Sequence, residues 1–266
     1  MTDRPPAPTP LERAQELIYQ AWEVPGRRRL ALARRALALS PDCADAYVFL
    51  AEAARDPAAA RQLYEAGVQA GERALGPEIF ARHAGDFWAL LETRPSMRAR
   101  QGLAELLWRQ GERAAAVAHL TALLALNPHD NQGNRYALVT RLLALGDDEE
   151  VARLLAAFPD EWSAWWAYSA ALYRFRGLGA GPAADTSLRR ALRLNPHVPG
   201  YLLGRDRLPR QRPPFYSTGS TSEAVLYAAD ALAAWRATPG ALAWCGAVWA
   251  RTTARAPRAP GRRQRG

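Results

Sequence analysis

Side chains that could perform nucleophilic, acid–base or metal chemistry are few in this chain and widely spaced. Cys43 and Cys245 stand 202 positions apart, which is a poor spacing for a zinc site. All 35 basic residues are arginine, so the chain has neither a Walker A lysine nor a Schiff-base lysine. The histidines are isolated from one another and form no HExxH pattern: His83, His119, His129 and His197. The sequence therefore predicts no metal, no cofactor and no enzymatic activity.

The remaining polar clusters have simpler structural interpretations. His83 and Asp86 are spaced i,i+3, as in many exposed helical pairs. The acidic run 147–150 opens a predicted helix, where negative charge favours the helix dipole. The glycines near residue 180 follow no predicted strand and precede no lysine, so they do not indicate a phosphate-binding loop.

The net charge of +9 is concentrated at the C-terminal end. Residues 251–266 hold six arginines and no acidic residue, and without them 29 basic residues face 26 acidic ones. Arms of this kind are usually solvated and disordered, and a minority bind nucleic acid or anionic membranes. The tail is therefore compatible with both interpretations.

The cellular setting is predicted from the cysteines and the apolar segments. Two isolated cysteines indicate no disulfide framework and favour a reducing compartment. The first ten residues are polar and rich in proline, and the longest apolar run, 241–250, has about half of the ~20 residues that a membrane span needs. The sequence predicts a cytoplasmic protein without a membrane span and leaves its oligomeric state open.

A repeat runs through the chain. Residues 36–41, 123–128 and 191–196 share one pattern, in which an amphipathic helix ends and a proline follows. Pro128 and Pro196 are 68 residues apart, which is twice 34. A period of 34 is that of the tetratricopeptide repeat, a pair of antiparallel helices.

The best copy covers residues 97–130 and resembles the repeat consensus, and a second copy covers about 165–198. Between them, 131–158 is a weaker copy whose closing Pro159 comes three residues early, and a further copy starts near Ala44. Small residues are required where two helix backbones approach each other. The structural repeat positions are Ala104, Gly111, Ala116, Pro128, Ala184, Ala191 and Pro196.

Further helices are predicted outside the repeats. Residues 9–12 read as a capping box with proline in the first helical position, which opens a helix to about Trp22. Helices are also expected over 27–39, 77–91, 222–235 and 241–250, the second of these with Phe80, Phe87, Leu90 and Leu91 on a buried stripe.

Two segments resemble a known family. They are the stretch 43–52, Cys-Ala-Asp-Ala-Tyr-Val-Phe-Leu-Ala-Glu, and the stretch 195–244, with Asn195-Pro196-His197, Gly219-Ser220 and Glu223-Ala224. This pattern resembles the suppression-of-tumorigenicity-seven family and its bacterial tetratricopeptide-like relatives. The resemblance implies a helical-repeat scaffold and supplies no catalytic residues.

These observations together predict an all-α fold, a right-handed solenoid of tetratricopeptide-like hairpins with a proline-rich C-terminal capping segment. Residues 1–10 are expected to be disordered, 11–198 to form the repeats, and 251–266 to be a disordered arginine-rich tail. Residues 199–250 are expected to hold a crossing segment and the cap helices. Tyr201, Phe215 and Tyr216 would anchor that segment, which either caps the core or enters the groove.

The first helix of each pair lines the concave face of such a solenoid. Helical spacing places one set of candidate partner-binding residues there: Arg98, Gln101, Trp108, Arg109, Arg135, Tyr173 and Arg176. Arginine beside an aromatic side chain suits carboxylates and carbonyl groups of a peptide, although Trp108 would equally serve as core packing between repeats. The sequence therefore predicts a non-catalytic scaffold or adaptor for proteins or peptides. The alternative is RNA or other nucleic acid bound by an arginine-lined groove and the basic tail.

Overall fold

The computed structural model describes residues 7–254, and these form thirteen α-helices and no β-strand. The predicted all-α class is confirmed. The helices are α1 Pro10–Trp22, α2 Gly26–Leu39, α3 Ala44–Ala53, α4 Pro57–His83, α5 Arg94–Gln110, α6 Arg113–Leu126, α7 Asn134–Leu145, α8 Asp148–Ala157, α9 Ala164–Leu178, α10 Pro182–Leu194, α11 Val198–Leu202, α12 Thr221–Ala237 and α13 Ala241–Ala254.

The chain divides into two compact units, Met1–Arg135 and Tyr136–Gly266. In the first unit, α1 packs along α2, α3 along α4 and α5 along α6. Each pair is joined by a short turn and is therefore antiparallel. The capping box predicted at the start of α1 is present, because the Thr9 hydroxyl accepts the Glu12 N–H and the Glu12 carboxylate accepts the Thr9 N–H.

The pair α5–α6 has the local features that the repeat spacing predicts. Gly111 ends α5 in the left-handed conformation, with a φ of 86°, which glycine adopts without strain. Ala104 and Ala116 are fully buried, and Pro128 follows the end of α6. Small side chains at these positions let the two helices approach closely.

Glycines determine how closely α4 and α5 approach. A Cβ on Gly71 would lie 2.6 Å from the Ser96 Cβ and 2.8 Å from its Cα, and a Cβ on Gly102 would collide with the Tyr64 ring. No larger residue fits at these positions without moving a backbone or an aromatic ring.

The helix predicted over 77–91 is shorter than expected. A residue outside the helical conformation, Gly76 with φ 68°, interrupts α4, and α4 ends at His83. Two 3₁₀ turns follow, Phe87–Ala89 and Leu91–Thr93. The backbone leaves the helical conformation at Ala84, whose ψ is 124°, and Gly85 follows with a positive φ of 102°. Phe87 is buried as predicted, but the expected burial of Leu91 is wrong, because this side chain is 64% exposed.

The second unit contains the pair α9–α10 and the C-terminal helices. Ala184 and Ala191 are buried where α10 packs on α9, and Pro196 follows the end of α10. The early Pro159 makes α8 short, as the sequence predicts: this helix has ten residues. The pairing of α10 with α13 includes the Trp244 indole, whose N–H donates to Asp185 Oδ1 at 2.8 Å.

Residues 203–220 form an irregular segment that is held by side-chain contacts. Arg212 pairs with Asp230 at 2.8 Å, and the Tyr216 ring lies 5.3 Å from that of Trp165. Phe215 does not act as an anchor, because it is 84% exposed. Within the described residues no helix is both long and apolar enough to cross a membrane.

Some expectations stay predictions. Residues 1–6 and 255–266 lie outside the described residues, and with them most of the expected N-terminal segment and of the arginine-rich tail. The right-handed solenoid and its assignment to the tetratricopeptide superfamily also stay predictions. The hairpins described above are the local units that such an assignment requires.

The contact between α4 and α5 predicts the effect of one added methyl group. Gly71→Ala should lower the free energy of unfolding by about 1–3 kcal/mol, because the new Cβ overlaps the Ser96 backbone. Urea unfolding followed by circular dichroism measures this change. Gly177→Ala is the matched control: its Cβ meets nothing within 4 Å, so stability should rise by about 0.5–1 kcal/mol. Equal effects of the two substitutions would contradict the argument.

Candidate functional site

The first unit contains an apolar cleft of about 280 Å³ between α1, α4 and the segment that leads into α5. Its apolar lining comes from six side chains: Leu11, Tyr19, Ala44, Ala74, Leu91 and Pro95. Tyr19 is 52% exposed and Leu91 is 64% exposed. Large apolar side chains that remain accessible beside a cleft are typical of binding surfaces.

A buried ion pair lies beside this cleft. Asp45 of α3 is 1% exposed, and Arg98 of α5 donates to both of its carboxylate oxygens, from Nε at 2.7 Å and from Nη2 at 2.6 Å. Gln15 of α1 donates to the same carboxylate at 3.2 Å. Because a buried carboxylate needs such partners, these bonds join three helices around one charge.

Two other charged groups at the cleft are engaged within the chain, whereas Glu92 is exposed and forms no hydrogen bond or ion pair among the described residues. Glu12 accepts the Thr9 N–H at 2.6 Å as part of the α1 capping box, and Asp42 accepts from Arg73 Nε at 2.8 Å. With these groups committed, the cleft offers an incoming molecule mainly apolar surface. This favours recognition of an apolar side chain over acid–base chemistry.

Arg98 lines this cleft, with its guanidinium paired to Asp45, and its role in partner binding stays a prediction. Four other residues of the predicted set lie in the same unit. Gln101 exchanges amide hydrogen bonds with Gln132. Trp108 is half-buried against the core cluster of α3–α6, and the Arg113 guanidinium stacks 5.5 Å from the centre of its ring. Arg109 is exposed. Trp108 therefore serves packing at least in part, which is one of the two roles weighed for it.

Arg135 binds the carboxylate that precedes α7. Asp130 Oδ2 accepts the Arg135 backbone N–H at 2.9 Å and its Nη1 at 3.0 Å, and Oδ1 accepts the Asn134 N–H at 2.7 Å. Burial of this carboxyl raises the pKa of Asp130, although the hydrogen bonds and the Arg135 charge oppose the shift. Arg135 therefore secures the turn into α7.

The last two predicted residues lie on α9 in the second unit. Arg176 donates from Nη1 to the Leu143 carbonyl at 2.7 Å and pairs with Asp148 at 3.2 Å, so it ties α9 to the α7–α8 turn. Tyr173 is half-exposed and lines a groove. That the seven residues form one partner-binding face stays a prediction.

This groove of about 500 Å³ lies between α8 and α10, with one face of α9 as its floor. The floor consists of Trp166, Ala167, Ala170 and Tyr173, and three arginines line the groove: Arg174, Arg190 and Arg193. Residues of the irregular segment 203–220 contribute to neither this groove nor the cleft of the first unit.

A second buried carboxylate organises the second unit. Glu223 of α12 is fully buried and accepts three N–H groups: those of the Ala164 backbone at 2.8 Å, the Asn195 side chain at 2.9 Å and the Gly219 backbone at 2.7 Å. Asn195 also donates to the Ser220 carbonyl at 2.9 Å. These residues join the start of α9, the end of α10 and the start of α12. We call them the Glu223 lock: Ala164, Asn195, Gly219, Ser220 and Glu223.

The cysteine thiols are poor nucleophiles in this fold. Burial raises the pKa of Cys43 to about 11 and that of Cys245 to about 12, so both are protonated at neutral pH. For His119 burial acts in the opposite direction and lowers the pKa, because it disfavours the charged imidazolium, and the nearby Arg100 charge adds to this shift. No group of three His, Cys, Asp or Glu side chains within residues 7–254 is placed to hold a metal ion.

Sequence reasoning missed several of these residues. Asp45 gave a local signal, since it is an acidic residue near the start of a largely apolar helix in which six of ten residues are buried. Its partner Arg98 is 53 residues away, and no local pattern links the two. Glu223, Asn195 and Gly219 stand within the stretch that carried the family resemblance, but their common contact emerges only in the fold.

The Glu223 lock predicts a stability effect. Glu223→Gln should lower the free energy of unfolding of the second unit by about 1–3 kcal/mol, because the new NH₂ group faces N–H donors in a buried site. Glu149→Gln, at an exposed position on α8, should change it by less than about 0.5 kcal/mol. Chemical denaturation of both variants provides the comparison, and a Glu223→Gln protein as stable as the parent would contradict the assignment.

Comparison with known proteins supports the resemblance seen in the sequence. Residues 162–263 match the family model described as ST7 protein. The match begins just before α9 and includes the Glu223 lock, together with residues from 255 onwards that the structure does not describe.

Two relatives illustrate the similarity. The chain is 28% identical over 269 aligned positions to the human suppressor of tumorigenicity 7 protein-like, which covers 90% of this chain and 46% of the relative. It is 29% identical over 240 positions to the suppressor of tumorigenicity 7 protein of Macaca fascicularis. This alignment covers 79% of this chain and 44% of the relative. The chain therefore spans less than half the length of these relatives, and it is similar to proteins of the suppressor-of-tumorigenicity-7 type.

Proposed function

We propose that this chain is a non-catalytic helical scaffold that binds peptide segments of partner proteins. Its hairpins are of the tetratricopeptide type in this proposal, and the predicted set from Arg98 to Arg176 contributes to the binding surface. The supporting features are the all-helical fold, the paired helices and the clefts within each unit. The cytoplasmic location expected from the sequence belongs to the same proposal.

The main support for this proposal is the set of accessible apolar side chains at the cleft of the first unit. Tyr19 and Leu91 remain exposed beside a cavity of about 280 Å³, while Asp45, Arg98 and Glu12 are engaged within the chain. A cavity of this size accepts one large apolar side chain, which a peptide supplies with little loss of polar hydration.

The nucleic-acid alternative rests on the arginine tail, most of which lies outside the described residues. No contact within residues 7–254 favours it over a peptide. It makes a distinct prediction, since phosphate contacts release counterions and binding then weakens steeply with salt.

The cleft predicts a loss of peptide binding upon charge insertion. A display library of random twelve-residue peptides is selected on the full chain, and the enriched peptides should carry a large apolar residue. Leu91→Glu should lower the affinity of at least some of these peptides about tenfold or more. Leu178→Glu is the matched control, because Leu178 is 67% exposed and lines neither cavity. Fluorescence anisotropy of labelled peptides measures the affinities.

Three results would count against the proposal. They are the absence of any enriched peptide, turnover of a substrate by the purified chain, and equal losses from both leucine substitutions. Binding of a labelled single-stranded RNA that falls steeply between 50 and 200 mM salt, and that disappears when residues 255–266 are deleted, would favour the nucleic-acid alternative.

A further inference from the structure

We propose that the groove between α8 and α10 in the second unit binds an acidic peptide segment. This inference rests on the proposed peptide-binding function and adds a second site to it. It specifies the chemistry of the partner: a segment with aspartate or glutamate side chains and small or apolar residues between them.

The groove exists because the second helix of its repeat is short. Pro159 ends that repeat three residues early, so α8 stops at Ala157 and the chain turns away through Glu161 towards α9. The neighbouring second helix, α10, has thirteen residues. A cavity of about 500 Å³ therefore lies open above α9 between these unequal helices.

The floor of the groove provides room and apolar contact. Ala167 and Ala170 are small and half-buried, and Leu155 contributes an apolar wall. Trp166 also lines the groove. It is 5% exposed, and its indole N–H has no hydrogen-bond partner among the described residues. Because this nitrogen is itself buried, Trp166 closes the floor of the groove and does not present a donor to a ligand.

The charge of the groove is positive along its length. Since α9 and α10 are antiparallel, Arg174 lies at the end nearest the start of α10, and Arg190 and Arg193 lie towards the other end. Arg174 donates to the neutral Ser187 hydroxyl at 2.8 Å. Arg190 and Arg193 are exposed and form no ion pair within residues 7–254. Three guanidinium groups are therefore available for carboxylates.

The acidic residue at the groove, Glu161, forms no ion pair with these three arginines, and its charge lowers the formal sum of the lining side chains from +3 to +2. Both oxygens of Glu161 are engaged, since Oε2 accepts from the Tyr136 hydroxyl and Oε1 accepts the Trp162 and Ser163 N–H groups, each at 3.0 Å. In most of the other arginine contacts of the structure an acidic side chain is the partner, as for Arg98 and Arg176. Arg190 and Arg193 are exposed without an acidic partner among the described residues, as Arg27 of α2 also is, but they line a cavity.

Charge and shape select the occupant. The arginine-rich tail of this chain has the same sign as the groove and is therefore repelled. RNA would require a longer basic surface and several exposed aromatic faces for base stacking, whereas among the described lining residues Trp166 is buried and Tyr173 is half-exposed. Residues 186–194 of α10 extend for about 12 Å, which matches about four residues of an extended peptide.

The test is a selection on the full chain with a display library of random twelve-residue peptides. Enriched peptides should include an acidic class. Arg190→Glu combined with Arg193→Glu should lower the affinity of the acidic peptides at least tenfold, because two attractive charges become repulsive. Arg27→Glu combined with Arg34→Glu is the matched control. These two arginines are exposed on α2 in the other unit, and the net charge changes equally.

A second variant separates steric from electrostatic effects. Ala170→Trp fills the floor of the groove and should also abolish binding of the acidic class, while circular dichroism confirms that each variant remains folded. Equal losses in the Arg27/Arg34 control would show that binding follows net charge only, which would overturn the inference. So would the absence of an acidic class, or an acidic class that still binds the Arg190/Arg193 variant.

The outcomes also separate this site from the proposed function. If enriched peptides respond to Leu91→Glu and not to changes in the α8–α10 groove, the scaffold function stands and this inference fails. If the library yields no binding peptide at all, both fail. A single-stranded RNA that binds the parent and loses affinity in the Arg190/Arg193 variant would assign the groove to nucleic acid instead.

Discussion

The helices of this chain approach one another closely because glycine or alanine stands where their backbones meet. Gly71 faces the backbone at Ser96, and Gly102 faces the ring of Tyr64. Buried alanines such as Ala104 and Ala191 fill the same role in other pairs. Small residues give little buried area each, so stability depends on many such contacts being satisfied together. This constraint fixes which helices pair, and the cavities lie where the pairing is incomplete.

Most charged groups inside the two units serve the fold. Asp45 joins three helices through Arg98 and Gln15, and Glu223 joins the elements around the Asn195 turn. Such internal commitment explains why several arginines predicted to bind partners also have structural tasks. Two cavities are the candidate partner sites: the apolar cleft of the first unit and the α8–α10 groove with its arginines.

Local signals predicted the local structure well. The capping box at Thr9, the left-handed Gly111 and the short α8 all follow from residues within one turn of the feature they determine. The exposure of Leu91 did not follow, because the helix expected there ends at His83, and Ala84 and Gly85 turn the chain out of the helical conformation. The Asp45–Arg98 pair and the Glu223 lock could not be predicted, since their members are brought together only by folding.

Hydrogen exchange of individual backbone amides tests the small-residue packing most directly. If the contact between α4 and α5 holds the first unit, the amides of Gly71 and Gly102 should exchange only through global unfolding of that unit. Their exchange free energies should then equal the free energy of unfolding obtained with urea. Exchange at these two glycines as fast as in the irregular segment 203–220 would contradict the account, because it would mean that α4 and α5 separate without unfolding.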